Sequence, residues 1–287
     1  MTDMKVAVLL TVHNRREGTL RCLRGLYAQL PIEGVRTEVW LTNDGCADGT
    51  GEAVAEEFPQ VHVVEGDGNL FWNRGMIAAW QAAAAHERYD WYLWLNDDTQ
   101  LNEGALKRLM TMAQMSNGQY ILVGSTHAVG KPTSLTYGGL LRSGKRIYPP
   151  AGGTHPCDTF NGNIVLIPRS AYEVLGTMDP YFHHGIGDFD YGYRAGKAGI
   201  SCLVAPGFYG ACNRHERIAV WADPKAPLSA RWANFNSTLG AAPREMFHYR
   251  CRHFGFLSAA SRFISCHIHV LLPWLWSEKR VMEIKVK

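Results

Sequence analysis

Apolar positions in the first hundred residues fall into two alternating patterns. Val6–Val12 is a short, continuous run, β-branched at several positions, which predicts a strand buried on both faces. Leu20, Leu23, Leu26, Tyr27 and Leu30 then recur at helical spacing. The alternation repeats three more times. Glu38–Thr42, Val61–Glu65 and Trp91–Leu95 read as strands. Asp48–Phe58, with Asp48 as N-cap, the alanine-rich Trp72–His86 and Glu103–Met115 read as helices. Four strand–helix units in succession predict a doubly wound, Rossmann-like α/β fold with a mostly parallel sheet. Beyond residue 118 the short runs Ile121–Gly124, Leu135–Leu141 and Asn163–Ile167 are separated by loops such as YPPAGGTHP, and they read as a mixed extension of that sheet. From Leu228 to about Trp276 the chain reads helical, with a break near Pro243. The expected organisation is a domain over 1–227, divided near residue 118, and a helical extension over 228–287.

Ligands of such sheets bind beyond the carboxyl ends of the strands. The residues that follow the strands are Thr11-Val12-His13-Asn14, Asn43-Asp44-Gly45, Gly66-Asp67-Gly68-Asn69 and Asn96-Asp97-Asp98, and all four groups are expected on one rim. The run WYLWLNDDT drives a buried strand into two adjacent carboxylates. They suit a hard divalent cation, which prefers oxygen ligands, and Mn2+ would also admit a histidine. The alternative is that Asn-Asp-Asp-Thr only caps the helix that follows. A second acidic cluster, Asp188 and Asp190 in GIGDFDYGYRAGKAG, opens another helix. Acidic residues there either complement the helix dipole or include a general base, and spacing alone does not choose. Neither a G-x-x-x-x-G-K-[ST] phosphate loop nor a G-x-G-x-x-G turn after the first strand occurs, which weighs against a dinucleotide-dependent dehydrogenase.

Composition narrows the picture modestly. At 287 residues, with 46% hydrophobic and 19% charged, the chain suits a globular protein of one to one and a half domains. A balance of 29 basic to 26 acidic residues gives no argument for nucleic acid. Seven cysteines, an odd number with no C-x-x-C pair, favour a reduced, cytoplasmic setting over a disulfide framework. MTDMKVAVLLTVHNR reads as a first strand, not a signal peptide. No run approaches the roughly 20 apolar residues of a membrane span. The nearest, FISCHIHVLLPWLW, is flanked by Arg262 and by Lys279, Arg280, Lys285 and Lys287. It reads either as an interfacial segment on anionic lipid or as a helix packed on the sheet or on a second subunit.

Six segments, taken in order, resemble inverting glycosyltransferases of family 2, which have the GT-A fold. LLTVHNR is similar to the family's first-strand motif, and LTNDGCADGT to its V-D-D-G-S-x-D-G-T. GNLFWNRGMIAAW stands in the place of the donor segment, LNDDT in that of the D-x-D metal motif, FNGNIVLIPRSAYEVLG in that of the acceptor-side strand and helix. GDFDYGYRA resembles E-D-x-D-x-x-x-R. The sequence departs from the pattern at Asn96, where the first acid of D-x-D stands, and at Gly187, where a glutamate usually precedes the base. The LNxDT variant resembles rhamnosyltransferase-like members.

The resemblance implies a role for each matched position. Thr11, His13 and Asp44 would line the nucleoside pocket, with Arg15 and Asn69 beside it. Asn73 and Arg74 would reach the ribose or diphosphate. Asp98 would bind Mn2+ or Mg2+, helped by His215 in CNRHE, while Asn96 or Asp97 would touch the ribose or a metal-bound water. Asp188 would be the catalytic base, with Asp190 the alternative two residues on. Asn161, Gly162, His184 and Asp190 would face the acceptor, and the stretch Tyr148 to Thr159 would set specificity. HYRCRHFG, 248–255, would either lie near the donor diphosphate or be plain surface charge. The expected reaction is transfer of a sugar from a UDP- or dTDP-linked donor to a glycan or lipid-linked acceptor in bacterial surface polysaccharide synthesis, at the inner face of the membrane, by a monomer or homodimer. The alternatives are a nucleotidylyltransferase, which normally needs a glycine-rich loop that HNRREG lacks, and a non-catalytic glycan-binding relic.

Overall fold

The computed structural model describes residues 3–214 and 218–275. Its strands are β1 (Met4–Val12), β2 (Val35–Asp44), β3 (His62–Gly66), β4 (Trp91–Leu95), β5 (Gln100–Leu101), β6 (Tyr120–Ala128), β7 (Lys131–Tyr137), β8 (Gly139–Leu140), β9 (His155–Cys157), β10 (Thr159–Phe160), β11 (Ile164–Pro168) and β12 (Ser201–Ala211). Its α-helices are α1 (Arg16–Tyr27), α2 (Thr50–Glu57), α3 (Phe71–His86), α4 (Ala105–Ser116), α5 (Arg169–Leu175), α6 (Gly187–Lys197), α7 (Leu228–Asn236), α8 (Pro243–Phe254) and α9 (Phe256–Leu271).

The main sheet runs β3-β2-β1-β4-β11-β6-β12-β5. β1 pairs in parallel with β2 and β4, and β2 with β3. β11 is antiparallel to both β4 and β6, so it reverses before β6 and β12 resume the original direction, and the short β5 at the edge is again antiparallel. The strands past residue 118 therefore extend one sheet. β8 and β10 form a separate small ribbon.

The continuous apolar reading of β1 has its reason in the two layers. Val6, Val8, Leu10 and Val12 pack against α1, α2 and α4, whereas Ala7 and Leu9 face the layer of α3, α5 and α6. A strand covered on both faces has no polar alternation to show. The second layer is rich in aromatic rings. Trp80 of α3 lies 5.5 Å from Trp94 and 5.3 Å from both Tyr92 and Tyr172, ring centre to ring centre.

Three expectations change. Leu135–Leu141 is not one strand: it breaks at Gly138, where φ is +159° and a Cβ would stand 2.8 Å from Ser125 Oγ. α1 ends at Tyr27 and does not reach Leu30, because the residue before Pro31 is driven out of helical geometry. Asp48 lies just outside α2, where its Oδ1 accepts the Thr50 N–H at 3.1 Å and its Oδ2 the Arg16 N–H at 3.1 Å, so one side chain secures the start of two helices. β12 was not legible in the hydrophobic pattern. Pro206, Gly207 and Gly210 interrupt it, and its pairing with β6 shifts register twice.

Candidate active site

The ends of β1, β2, β3 and β4 bring the sequence-predicted residues to one rim. At the end of β4, Asp97 is nearly buried and Asp98 half-open. Arg15, on the loop after β1, bridges them: its Nε lies 3.2 Å from Asp97 Oδ2 and a terminal nitrogen 3.3 Å from Asp98 Oδ2. Burial pushes the Asp97 carboxyl up to about 7, against the pull of Arg15, and the Asp98 charge adds to the rise. The Cys212 thiol donates to Asp98 Oδ1 at 3.5 Å. Two carboxylates already held together by a guanidinium form a donor set that fits a hard divalent ion. His215 lies outside the described residues.

Beside this pair, Asn96 Oδ1 accepts the indole N–H of Trp72 at 2.8 Å. The Trp72 ring lies close against Gly162, where a Cβ would come within 2.6 Å of it. The Gly162 N–H in turn donates to Asp188 Oδ2 at 3.0 Å. Asn96, Trp72 and Gly162 therefore make one wall, with Asp98 at one end and Asp188 at the other. Asp188 opens α6, and its Oδ1 accepts its neighbour's backbone N–H, that of Phe189, at 2.8 Å. Two backbone donors do not offset burial here, and the carboxyl is pushed up to about 6.

Asp190 is the opposite case and corrects the expectation set for it. It is fully buried, away from acceptor or solvent. Its carboxylate meets Arg194 Nε at 2.8 Å, Arg252 at 2.8 Å and His253 Nε2 at 2.8 Å. Burial alone would raise it, but the His253 hydrogen bond and the two arginines hold it below the usual carboxylate range. It anchors α6 to α8.

Asn73 also turns inward. It is fully buried, and its amide donates to the Asp179 and Phe182 carbonyls at 2.9 and 2.8 Å, so it secures the loop before α6 and reaches no ribose or diphosphate. Its Oδ1 explains Gly187, since a Cβ there would lie 1.7 Å away. Arg74 remains at the surface edge, with its Nε donating to Pro180 O at 2.9 Å. Asp44 is committed to structure as well. Its oxygens accept the backbone N–H groups of Gly68, Leu70 and Phe71 at 2.8, 3.2 and 2.9 Å, which shapes the loop leading into α3.

Around that loop, His13 is exposed, with Nδ1 2.6 Å from Asp44 O. Thr11 is nearly buried beneath Gly75 of α3. Asn69 is exposed at the loop tip. On the acceptor side, the Asn161 N–H donates to Gly138 O at 3.0 Å. His184 is exposed, its ring 6.4 Å from that of Phe71.

Sequence reasoning missed Trp72 and the grip of α8. Glu245 Oε1 sits 2.6 Å from His183 Nδ1, and Arg252 reaches Asp179 at 2.7 Å. Within HYRCRHFG, Arg252 and His253 are thus not plain surface charge: both hold Asp190 of α6, the helix that Asp188 opens, and Arg252 also holds Asp179 in the loop before it. A tryptophan in the first turn of α3 was the visible signal for the former. The latter joins residues more than 60 positions apart and left no local signal.

The glycosyl transferase family 2 model matches residues 7–172. N-acetylglucosaminyl-diphospho-decaprenol L-rhamnosyltransferase of Mycobacterium tuberculosis is 24% identical over 219 residues, 67% of this chain and 71% of that protein. Mannosyltransferase PcManGT from Pyrobaculum calidifontis, solved with GDP-Man and Mn2+, superposes over 98% of this chain and 83% of its own, at a TM-score of 0.56 and 17% identity. S. aureus TarS 1–349 gives a TM-score of 0.56 at 14% identity, covering 93% of this chain and 74% of its own. The fold is GT-A, and the chain belongs to glycosyl transferase family 2. It is a glycosyltransferase, similar to a rhamnosyltransferase in sequence.

Proposed function

We propose that the protein transfers a sugar, with inversion, from a UDP- or dTDP-linked donor to a hydroxyl of a glycan or lipid-linked acceptor, as a step in bacterial surface polysaccharide synthesis. The observation that carries the reading is Asp188. Among the described residues no cation lies within ion-pair distance of it, two backbone N–H groups fix its orientation, and its carboxyl is poised near 6. Such a group is ionised at neutral pH yet basic enough to take a proton from an attacking hydroxyl. The wall of Asn96, Trp72 and Gly162 runs between it and the Asp97–Asp98 pair. The acceptor hydroxyl therefore attacks from the Asp188 side while the diphosphate departs on the Asp98 side, and opposite faces mean inversion.

Asp98, with Asp97 and His215, would hold Mn2+ or Mg2+, which when bound supplies positive charge against the departing diphosphate. Arg15 lies between the same carboxylates and is placed to meet the diphosphate as well. His13, Asn69 and the loop held by Asp44 form the nucleoside side of the cleft, and His184 and Asn161 the acceptor side. The likeness to a rhamnosyltransferase acting on a diphospho-decaprenol lipid supports a deoxyhexose donor and a lipid-linked acceptor. The direct test is incubation with dTDP-rhamnose, UDP-N-acetylglucosamine and GDP-mannose, each with Mn2+ and a polyprenyl-diphosphate sugar, and analysis of the product anomer by NMR. Retention at the anomeric carbon would refute the two-sided arrangement.

A lipid-linked acceptor also fits the outer stripe of α9. Leu257, Ile264, Ile268 and Leu271 are exposed along one side, followed by Trp274. No helix among the described residues is long and apolar enough to cross a membrane. We read the stripe as contact with the lipid interface. Flotation with anionic vesicles should show binding that is lost in an Ile264→Ser/Leu271→Ser variant. Equal flotation of both proteins would dispose of it.

A further inference from the structure

At the end of the sheet opposite the rim, three side chains from three elements converge. Glu38 lies in the first half of β2, His62 is the first residue of β3 and His86 the last of α3. His62 Nε2 lies 3.7 Å and His86 Nε2 3.9 Å from the same oxygen, Glu38 Oε2, and one ligand atom from each residue falls within 4.8 Å of the others. α3 starts at the rim and spans 16 residues, so this cluster is about 24 Å from the active cleft. None of the three has a place in the transfer reaction.

We propose that Glu38, His62 and His86 form a second metal site, of the Zn2+ class, that ties β2, β3 and α3 together. Two imidazoles and one carboxylate are the ligand set of a borderline ion, since Mg2+ and Ca2+ prefer oxygen alone. Bonds of roughly 2.0–2.2 Å at tetrahedral angles require ligand atoms about 3.3–3.5 Å apart. The present nitrogen–oxygen separations exceed that by a few tenths of an ångström, within reach of small side-chain rotations. The ligands are held from outside. His62 stacks on Trp40 with ring centres 4.1 Å apart and planes 11° from parallel, and His86 packs on the same indole at 5.2 Å. The Tyr89 hydroxyl donates to Glu38 Oε2, and itself accepts the Trp40 N–H at 3.1 Å. Arg36 fixes the other carboxylate oxygen. Outer partners of this kind orient ligands and tune affinity. Glu38 is largely covered, while the side chains of His62 and His86 are 39% and 49% exposed, which leaves the fourth position open to water.

The test uses the full chain, stripped with chelator and titrated with Zn2+ alone, with Co2+ as a spectroscopic probe. The expected result is one equivalent of Zn2+ that raises the melting temperature, together with a Co2+ spectrum of nitrogen and oxygen ligation. His86→Ala and Glu38→Gln should each weaken it at least tenfold, while the melting shift given by nucleotide and Mn2+ stays as in the wild type. His86 is itself exposed at the last position of α3, so that variant keeps its fold even if His62→Ala does not. Equal Zn2+ affinity in wild type and His86→Ala would overturn the proposal, as would a thiolate-to-cobalt charge-transfer band, which would assign the ion to cysteine. Loss of the transferase reading leaves this site untouched, because the titration contains neither donor nor acceptor.

Discussion

Asp188 and Asp190 sit two residues apart at the start of one helix and have opposite electrostatic fates. Asp190 is fully buried and met by two arginines and a histidine, so it stays ionised and unreactive. Asp188 lies at the cleft, where its hydrogen-bond donors among the described residues are backbone N–H groups, and its carboxyl rises to about 6. The difference shows how burial is used in this fold. Where burial is matched by cations it fixes a helix, and where it is left unmatched it leaves a carboxyl raised towards neutral pH, as the proposed base requires.

The sharpest way to break the comparison is Asp188→Asn. It should lower kcat by about 10²–10⁴, the span of a general base, with nucleotide binding unchanged by calorimetry. Turnover near the wild-type rate would move the base elsewhere. Asp190→Asn should instead act on stability. It leaves two arginines facing a neutral group, a cost of about 3–5 kcal/mol, read as a fall in melting temperature of roughly 10 °C. An unaltered melting curve would deny Asp190 its anchoring role. Asp98→Asn should weaken Mn2+-dependent nucleotide binding by about a hundredfold, roughly 2.7 kcal/mol, while metal-independent binding changes little. Titration should then follow the sign of the Asp188 shift. Its carboxyl is raised, the active form is the anion, and so kcat should fall as pH drops through about 6, by about tenfold per unit below it. The same shift means that the protonated form stabilises the fold below about pH 4, and that this contribution is lost as pH rises through about 6. Smallest is Glu245→Gln, which keeps the shape but weakens the grip on His183. It should cost about 1 kcal/mol of stability and raise the acceptor KM a few-fold.

Local rules reached most of the sheet because β1, β4 and the second half of β2 are buried on both faces and read as continuous runs, whereas β3 at the sheet edge is only half-buried. They reached the ends of those strands too, and with them Asp97 and Asp98, while Asp188 was visible only as one of two acids opening a helix. They could not tell Asp188 from Asp190, since that depends on Arg252 and His253 arriving from α8. Nor could they see that Asn73 points inward, because the carbonyls it binds belong to a loop more than 100 residues away. β12 escaped for a different reason: its glycines and register shifts erase the strand signal while pairing with β6 survives.

The contact between Asn73 and position 187 has a consequence for how the protein can change. A side chain at 187 would collide with the buried Asn73 oxygen, 1.7 Å from where its Cβ must go. The glutamate that the resemblance in sequence leads one to expect before Asp188 is thus closed to this chain by any single substitution. It becomes accessible only after Asn73 has shrunk, and Asn73 cannot shrink without releasing the loop before α6. The two positions form an evolutionary ratchet, in which the order of change matters as much as the change itself.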